Sequence, residues 1–184
     1  MINLMDKILV RTIKIERGKP VLLNKVDFVM FPARSMAKIV QKIGEDFGDE
    51  YLYQLGYDAG TIVSDEFIEK LNWVTATFAK KMSSMLRMFE IMGFGKMQIK
   101  VWNASEDKVL INLTNHPVIN YGVKLFGKKE KICTFYRGIF SAHTYKEFGI
   151  EKCHFIETQC ISKGAPFCEW SYNYFKDKKE IKGK

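Results

Sequence analysis

The spacing of apolar residues changes near residue 97, and this change constrains the fold more than any other feature of the sequence. Before it, apolar residues recur every three or four positions, as at Phe67, Leu71, Val74 and Phe78, which is typical of an amphipathic helix. After it, the stretches MQIKVW and VLINLT alternate around the turn NASEDK, which predicts a β-hairpin. Helices gathered ahead of a sheet favour an α+β fold, with helices packed on one side of an antiparallel sheet.

Three helices are predicted in the first half of the chain. The first follows Pro32, and the second covers the stretch DEYLYQLGYDAGTIV. Gly56 and Gly60 lie four positions apart in the second helix, so another backbone can approach closely there. We expect the third helix to begin at Ser64, whose hydroxyl is a suitable N-cap ahead of two acidic residues, and to run through a methionine-rich segment.

The second half is predicted to contain one more helix and two more strands. The hairpin is followed by a break at NHPV, a helix over KICTFYRGIFSAHTYKEFG, a strand over KCHFIET and a closing strand over CEWSYNYF. Hydrophobic residues make up 47% of the chain and only 4 are prolines, as in packed globular proteins. We expect a single domain over residues 1–175 and a basic tail over 176–184.

The net charge of +8 is concentrated in the lysine-rich tail and in KLFGKKEK, and lysine greatly outnumbers arginine. Readers of nucleic acid rely on arginine for base edges and phosphates, so a solvated surface is favoured over a nucleic-acid interface. The N-terminal stretch carries early charges that argue against a secretory signal, and no window is apolar enough to span a bilayer. We therefore expect a cytoplasmic protein with reduced thiols.

Three of the four cysteines suggest a metal site. Cys160 and Cys168 flank a Gly-Ala-Pro turn, so their thiols can converge, and Glu157 lies three positions before Cys160. In an extended segment Cys153 and Glu157 would lie about 13 Å apart, at about 3.3 Å per residue, so one ion cannot bind both. Cys133, in the first turn of the preceding helix, is then the remaining candidate for a zinc ligand. A reduced cysteine cluster without metal and a redox disulfide are the alternatives.

The C-terminal residues resemble the signature of the 4-vinyl reductase domain family, in the pattern Cys133-x4-Gly138-x2-Ser141, Glu157-x2-Cys160-x3-Gly164-x3-Cys168-x-Trp170. Upstream, YQLGYDAG and MGFGKMQIKV are similar to the family's glycine-containing helix and its entry into the sheet, so the likeness spans roughly residues 34–172. The resemblance implies the fold of nitric-oxide-sensing and Golgi transport proteins, usually dimeric. It also implies structural zinc bound by three cysteines and a glutamate, which here are Cys133, Glu157, Cys160 and Cys168.

Three functions are compatible with this resemblance. A vinyl reductase acting on a tetrapyrrole-like substrate is poorly supported, because no dinucleotide fingerprint follows a strand and His116, His143 and His154 show no catalytic spacing. A protein-interaction scaffold would use exposed apolar surface on the first two helices. We favour a sensor-type module that binds a small apolar or aromatic ligand, acts as a homodimer and signals through a separate output protein. Candidate pocket residues are Trp73, Phe78, Met85, Phe89, Trp102, Tyr136 and Phe140.

Overall fold

The structure is a computed structural model of the 184-residue chain. It describes residues 13–16, 19–22, 26–27, 29, 31–71, 78–103, 108–148 and 153–173. The predicted tail and Trp73 lie outside these residues. Within the part of the chain that is described, no helix is both long enough and apolar enough to cross a membrane.

The described elements are four helices and seven strands. A small antiparallel sheet of β1 (Ile13–Glu16), β2 (Lys19–Leu22) and β3 (Val26–Asp27) precedes the helices. Two helices follow, α1 (Ala33–Leu71) and α2 (Phe78–Ile91), and then the hairpin of β4 (Lys96–Asn103) and β5 (Lys108–Thr114). The chain continues through α3 (Pro117–Phe126), α4 (Ile132–Phe148), β6 (Ile156–Gln159) and β7 (Cys168–Asn173).

The main sheet has the order β4-β5-β7-β6, with every neighbouring pair antiparallel. The predicted α+β fold is therefore confirmed, with the four helices packed on this four-stranded sheet. One detail of the predicted hairpin is wrong. A register shift between Ile99 and Val101 pairs Val101 with Leu110 instead of Val109, so Val101 does not share a face with Ile99 as strict alternation would require.

Helix α1 joins the first two predicted helices and extends beyond them. Gly48 has φ +87° inside it, a value that glycine adopts without strain, and the helix axis kinks at this residue. The prediction that Ser64 begins a new helix is wrong, because α1 continues to Leu71. Ser64 is fully buried, and its hydroxyl contacts Nδ1 of His143 in α4.

Helices α1 and α4 pack backbone to backbone at three glycines. A Cβ atom added to Gly56 would lie 2.0 Å from the carbonyl oxygen of Phe135, and one added to Gly138 would lie 2.2 Å from that of Tyr53. Gly60 meets the carbonyl oxygen of Ile139 in the same way, at 2.5 Å. The prediction of a close backbone approach at Gly56 and Gly60 is confirmed.

Helix α3 was missed by the periodicity argument, which predicted only a break at NHPV. Its first residue is Pro117, preceded by His116 in an extended conformation whose side chain accepts a hydrogen bond from the Ile119 N–H. Proline favours the first position of a helix, and histidine here fills the N-cap position that serine, threonine or aspartate usually occupies.

Substituting Gly56 by alanine tests the close contact of α1 and α4. We expect the free energy of unfolding to fall by about 1–3 kcal/mol, because the added methyl group overpacks a backbone contact. Urea denaturation of the full chain measures it. Gln54→Ala, on the exposed face of the same helix, is the matched control and is expected to change stability by less than about 0.5 kcal/mol. Equal effects of the two substitutions would contradict the observed packing.

Candidate metal centre and aromatic interior

Three buried cysteine thiols converge where α4 meets the end of the main sheet. Cys133 lies in the first turn of α4, Cys160 precedes a short 3-10 turn, and Cys168 begins β7. The Sγ atoms of Cys133 and Cys168 are 3.2 Å apart, those of Cys133 and Cys160 are 3.5 Å apart, and those of Cys160 and Cys168 are 4.0 Å apart. None of these three sulfurs is in a disulfide in this structure.

The spacing of the sulfurs suits a tetrahedral ion. Zinc–sulfur bonds of about 2.3 Å at tetrahedral angles place thiolates about 3.8 Å apart, close to the separations in this cluster. All three ligand atoms lie within 4.8 Å of one another. Cys153 is equally buried but is not part of this group. The cysteines thus supply three convergent soft ligands, which is the donor set that zinc prefers.

Contacts between the thiols distribute their protons unevenly. Hydrogen bonding with Cys133 and then with Cys168 lowers the pKa of the Cys160 thiol, whereas the same kind of contact raises the pKa of Cys133. The hydroxyl oxygen of Ser162 lies 3.0 Å from Cys160 Sγ and favours its thiolate further. Cys160 is therefore the thiol that most readily presents a thiolate to a cation.

Glu157 lies beside the cluster but is not one of its converging groups. It is paired with Trp170 across β6 and β7, and its carboxylate forms an ion pair with Lys163 Nζ at 2.7 Å. Burial raises the pKa of Glu157, and the hydrogen bond from Lys163 opposes that rise. Glu157, the ligand predicted from the sequence, thus lies near the thiols, but its carboxylate is paired with Lys163.

A second glutamate near the cluster was missed by the sequence reasoning. The Glu130 carboxylate accepts a hydrogen bond from the backbone N–H of Cys133 at 2.7 Å. Its other oxygen is buried and has no hydrogen-bond partner among the described residues, and burial raises its pKa to about 7. The signal was present in the sequence, because Glu130 precedes Cys133 by three positions just as Glu157 precedes Cys160.

Both glutamates line one cleft of about 440 Å³ next to the cysteine cluster. Lys128, Lys131 and Lys163 also line this cleft. These cations are suited to offset the negative charge that thiolates and carboxylates would place around a divalent ion.

An aromatic interior lies between the helices and the sheet. Phe89 of α2, Phe94 of the α2–β4 connection and Phe140 of α4 form what we call the phenylalanine triad. The ring centroids are 5.4 Å apart for Phe89 and Phe94, 5.1 Å for Phe89 and Phe140, and 6.3 Å for Phe94 and Phe140. Three rings from different elements thus meet at one point of the core.

Four of the predicted pocket residues lie in this interior. Phe89 and Phe140 belong to the triad, Tyr136 contacts Phe94 at 5.8 Å between ring centroids, and Met85 is buried in the same core. Only the backbone of Phe78 and Trp102 is described, so their side-chain positions are not assigned. Phe94 was missed because it follows the helix and belongs to no periodic run.

Two buried histidines border the triad, although neither was predicted to have a role. His143 contacts Phe89 at 4.7 Å between ring centroids, and His116 contacts Phe94 at 5.8 Å. Burial lowers the pKa of each to about 3, so both imidazoles are neutral near pH 7. Each also has its Nε2 atom buried without a hydrogen-bond partner among the described residues.

Solved structures share this fold at low sequence identity. The phenol-responsive sensory domain of the transcription activator PoxR, crystallised with phenol, superposes with a TM-score of 0.69 over 90% of this chain and 86% of that chain, at 12% identity. A trafficking protein particle complex subunit 3 from Naegleria fowleri, covalently bound to palmitic acid, gives a TM-score of 0.54 over 77% of this chain and 93% of that chain, at 15% identity.

These likenesses establish the fold as one found in sensory and trafficking domains, as the motif resemblance implied. No protein-family model and no curated protein sequence matches the chain. The resemblance to the 4-vinyl reductase family therefore lies in the motif residues alone.

Replacing Cys133 by serine tests the metal centre. We expect loss of bound zinc and a decrease in the free energy of unfolding of about 3 kcal/mol or more, because loss of a structural metal is among the most destabilising changes. Elemental analysis and thermal unfolding measure the two effects. Cys153→Ser is the matched control, since Cys153 is buried outside the cluster. Retention of zinc by Cys133→Ser together with its loss from Cys153→Ser would contradict the ligand assignment.

The buried histidines predict a pH dependence of stability. Because burial lowers the folded-state pKa of His143 to about 3, from an ordinary value of 6.5, its neutral form stabilises the fold above pH 6.5, and this stability is lost as the pH falls toward 3. We expect His143→Gln to reduce the slope of unfolding free energy against pH between 6.5 and 5 by up to about 1.4 kcal/mol per pH unit. Urea titrations measure it, and an unchanged slope would contradict a buried neutral His143.

Proposed function

We propose that the chain is a small-molecule-binding, sensor-type domain that contains structural zinc and acts as a homodimer. The observation that carries this proposal is the aromatic interior, in which neutral, buried histidines with unpartnered ring nitrogens border the phenylalanine triad. Buried polar atoms are nearly always hydrogen-bonded, and an apolar site with a few polar groups is typical of ligand pockets. The fold shared with a phenol-responsive domain supports the same function.

Zinc has a structural role in this proposal. Cys133, Cys160 and Cys168 would hold the ion, and Glu157 is proposed as the fourth ligand after its side chain exchanges Lys163 for the metal. When bound, zinc would be a cross-link with no open position for a substrate. The chain's own contribution is to bring the first turn of α4 against β7, while nearby lysines offset the negative charge of the ligands.

The proposed homodimer has a candidate surface on α1. Phe47, Tyr51 and Ile62 are exposed there, with 64%, 50% and 65% of their surface accessible, and the rings of Phe47 and Tyr51 are in contact at 5.0 Å. Exposed apolar side chains of this size are typical of interaction sites when they occur together. A signal generated in the interior would reach this surface through α1, which carries Ser64 against His143.

Native mass spectrometry of the purified chain tests the proposal. We expect a dimer with one zinc per chain and, when the natural ligand co-purifies, extra mass of a few hundred daltons that is lost on denaturation. The zinc content should not depend on whether the small molecule is bound, because the two sites use different residues. A zinc-containing dimer that takes up no small molecule would favour a scaffold, and a bound flavin or iron cofactor would favour the reductase instead.

A further inference from the structure

The polar atoms around the phenylalanine triad can be identified as donors or acceptors. Each phenylalanine of the triad touches one nitrogen-containing ring: Phe89 touches His143, Phe94 touches His116, and Phe140 touches Trp170. In all three nitrogen-containing rings one nitrogen atom is buried and has no partner among the described residues: Nε2 of both histidines and Nε1 of the tryptophan. The ligand that suits this interior depends on whether these atoms carry protons.

His116 has its tautomer fixed by the helix it caps. Its Nδ1 accepts a hydrogen bond from the backbone N–H of Ile119 at 3.3 Å. A neutral imidazole carries one proton, and a nitrogen that accepts a hydrogen bond cannot hold it. The proton is therefore on Nε2, and this buried atom is an unpaired donor.

His143 is assigned by its contact with Ser64. The serine hydroxyl contacts Nδ1 of His143 and has no other hydrogen-bond partner among the described residues. If the hydroxyl donates to Nδ1, only the Nε2–H of His143 is left unpaired. In the other tautomer both the hydroxyl proton and the Nε2 lone pair would be unpaired, and each buried unpaired group costs about 1–3 kcal/mol. The first arrangement is therefore favoured, and Nε2 is again a donor.

Trp170 supplies the third buried donor, and its indole ring has no second tautomer to consider. The indole nitrogen is only a donor, and Trp170 is fully buried on β7. One buried unpaired acceptor, Asn112 Oδ1, is on the neighbouring strand. Trp170 pairs with Ile111, and successive side chains of a strand point to opposite faces, so Asn112 does not face the triad from that strand.

We propose that the aromatic interior is specific for an apolar ligand whose polar groups only accept hydrogen bonds, such as a ketone, an ester, an ether or a quinone-type carbonyl. This inference rests on the proposed ligand-binding function and specifies its chemical class. A carbonyl oxygen accepts hydrogen bonds through two lone pairs and brings no proton that needs an acceptor. A hydroxyl group also brings a proton, for which the three nitrogen-containing rings offer no acceptor. The hydroxyl of Tyr136, whose ring lies 4.0 Å from that of His116 between centroids, can accept a hydrogen bond but brings a proton of its own, so donors still outnumber acceptors among these rings.

Three probes with the same carbon skeleton test the specificity. Calorimetry with the full-length, zinc-loaded chain would compare acetophenone, 1-phenylethanol and ethylbenzene. We expect acetophenone to bind about tenfold more tightly than ethylbenzene, as one net buried hydrogen bond allows, with 1-phenylethanol between them. Equal affinities, or tightest binding of the alcohol, would overturn the inference while leaving the proposed function intact. Binding of none of the three, with no co-purified molecule, would overturn both.

Two variants locate the effect in the donors. Trp170→Phe and His143→Phe each remove one N–H and keep an aromatic ring, so we expect each to reduce the preference for acetophenone about threefold to tenfold with little change for ethylbenzene. Tyr121→Phe, which removes an exposed hydroxyl on α3, is the matched control and should keep the preference.

The tautomers can be checked without any ligand. Long-range proton–nitrogen NMR spectra should place the proton of His116 and of His143 on Nε2. Protonation of Nδ1 in either residue would overturn the assignment even if a substituted protein fails to fold.

Discussion

The close contact between α1 and α4 is the constraint on which the rest of the structure depends. Gly56, Gly60 and Gly138 let the two backbones approach to a distance at which any Cβ atom would collide with a carbonyl oxygen. This contact fixes the position of both ends of α4. Its first turn presents Cys133 to the cysteines of the main sheet, and its later turns place His143 against Ser64. The cysteine cluster and the aromatic interior are thus positioned by one pair of helices.

The two sites are connected through the same helix and through β7. Ser141 donates a hydrogen bond to the Arg137 carbonyl and accepts one from the Phe155 N–H, so α4 is tied to the chain segment that leads into β6. Cys168 and Trp170 lie two positions apart on β7 and therefore on the same face of the sheet. An ion at the cysteines would hold β7 in register while Trp170 contributes its N–H to the interior.

Much of the fold was predictable because apolar periodicity reports directly which face of an element is buried. It predicted the β4–β5 hairpin and α4, and the four-residue spacing of Gly56 and Gly60 predicted the close approach of another backbone. It failed where a residue acts through a long-range contact. Ser64 has the sequence signature of an N-cap, yet its hydroxyl contacts Nδ1 of His143, which lies 79 positions further along the chain. Helix α3 was missed because it begins with proline and is capped by a histidine. In the candidate metal centre, the cysteine spacing predicted the cluster. Glu130 was overlooked because its contact with Cys133 depends on the turn before α4.

Zinc K-edge X-ray absorption on the purified chain would identify the ligands of the proposed ion, because it reports the atoms bound to the metal regardless of activity. We expect three sulfur scatterers at about 2.3 Å and one oxygen or nitrogen scatterer at about 2.0–2.2 Å. The spectrum should not change when a small apolar molecule is added, since the metal would be structural. A site with fewer than three sulfurs, or a protein that binds no zinc while folding with full stability, would contradict the proposed metal centre.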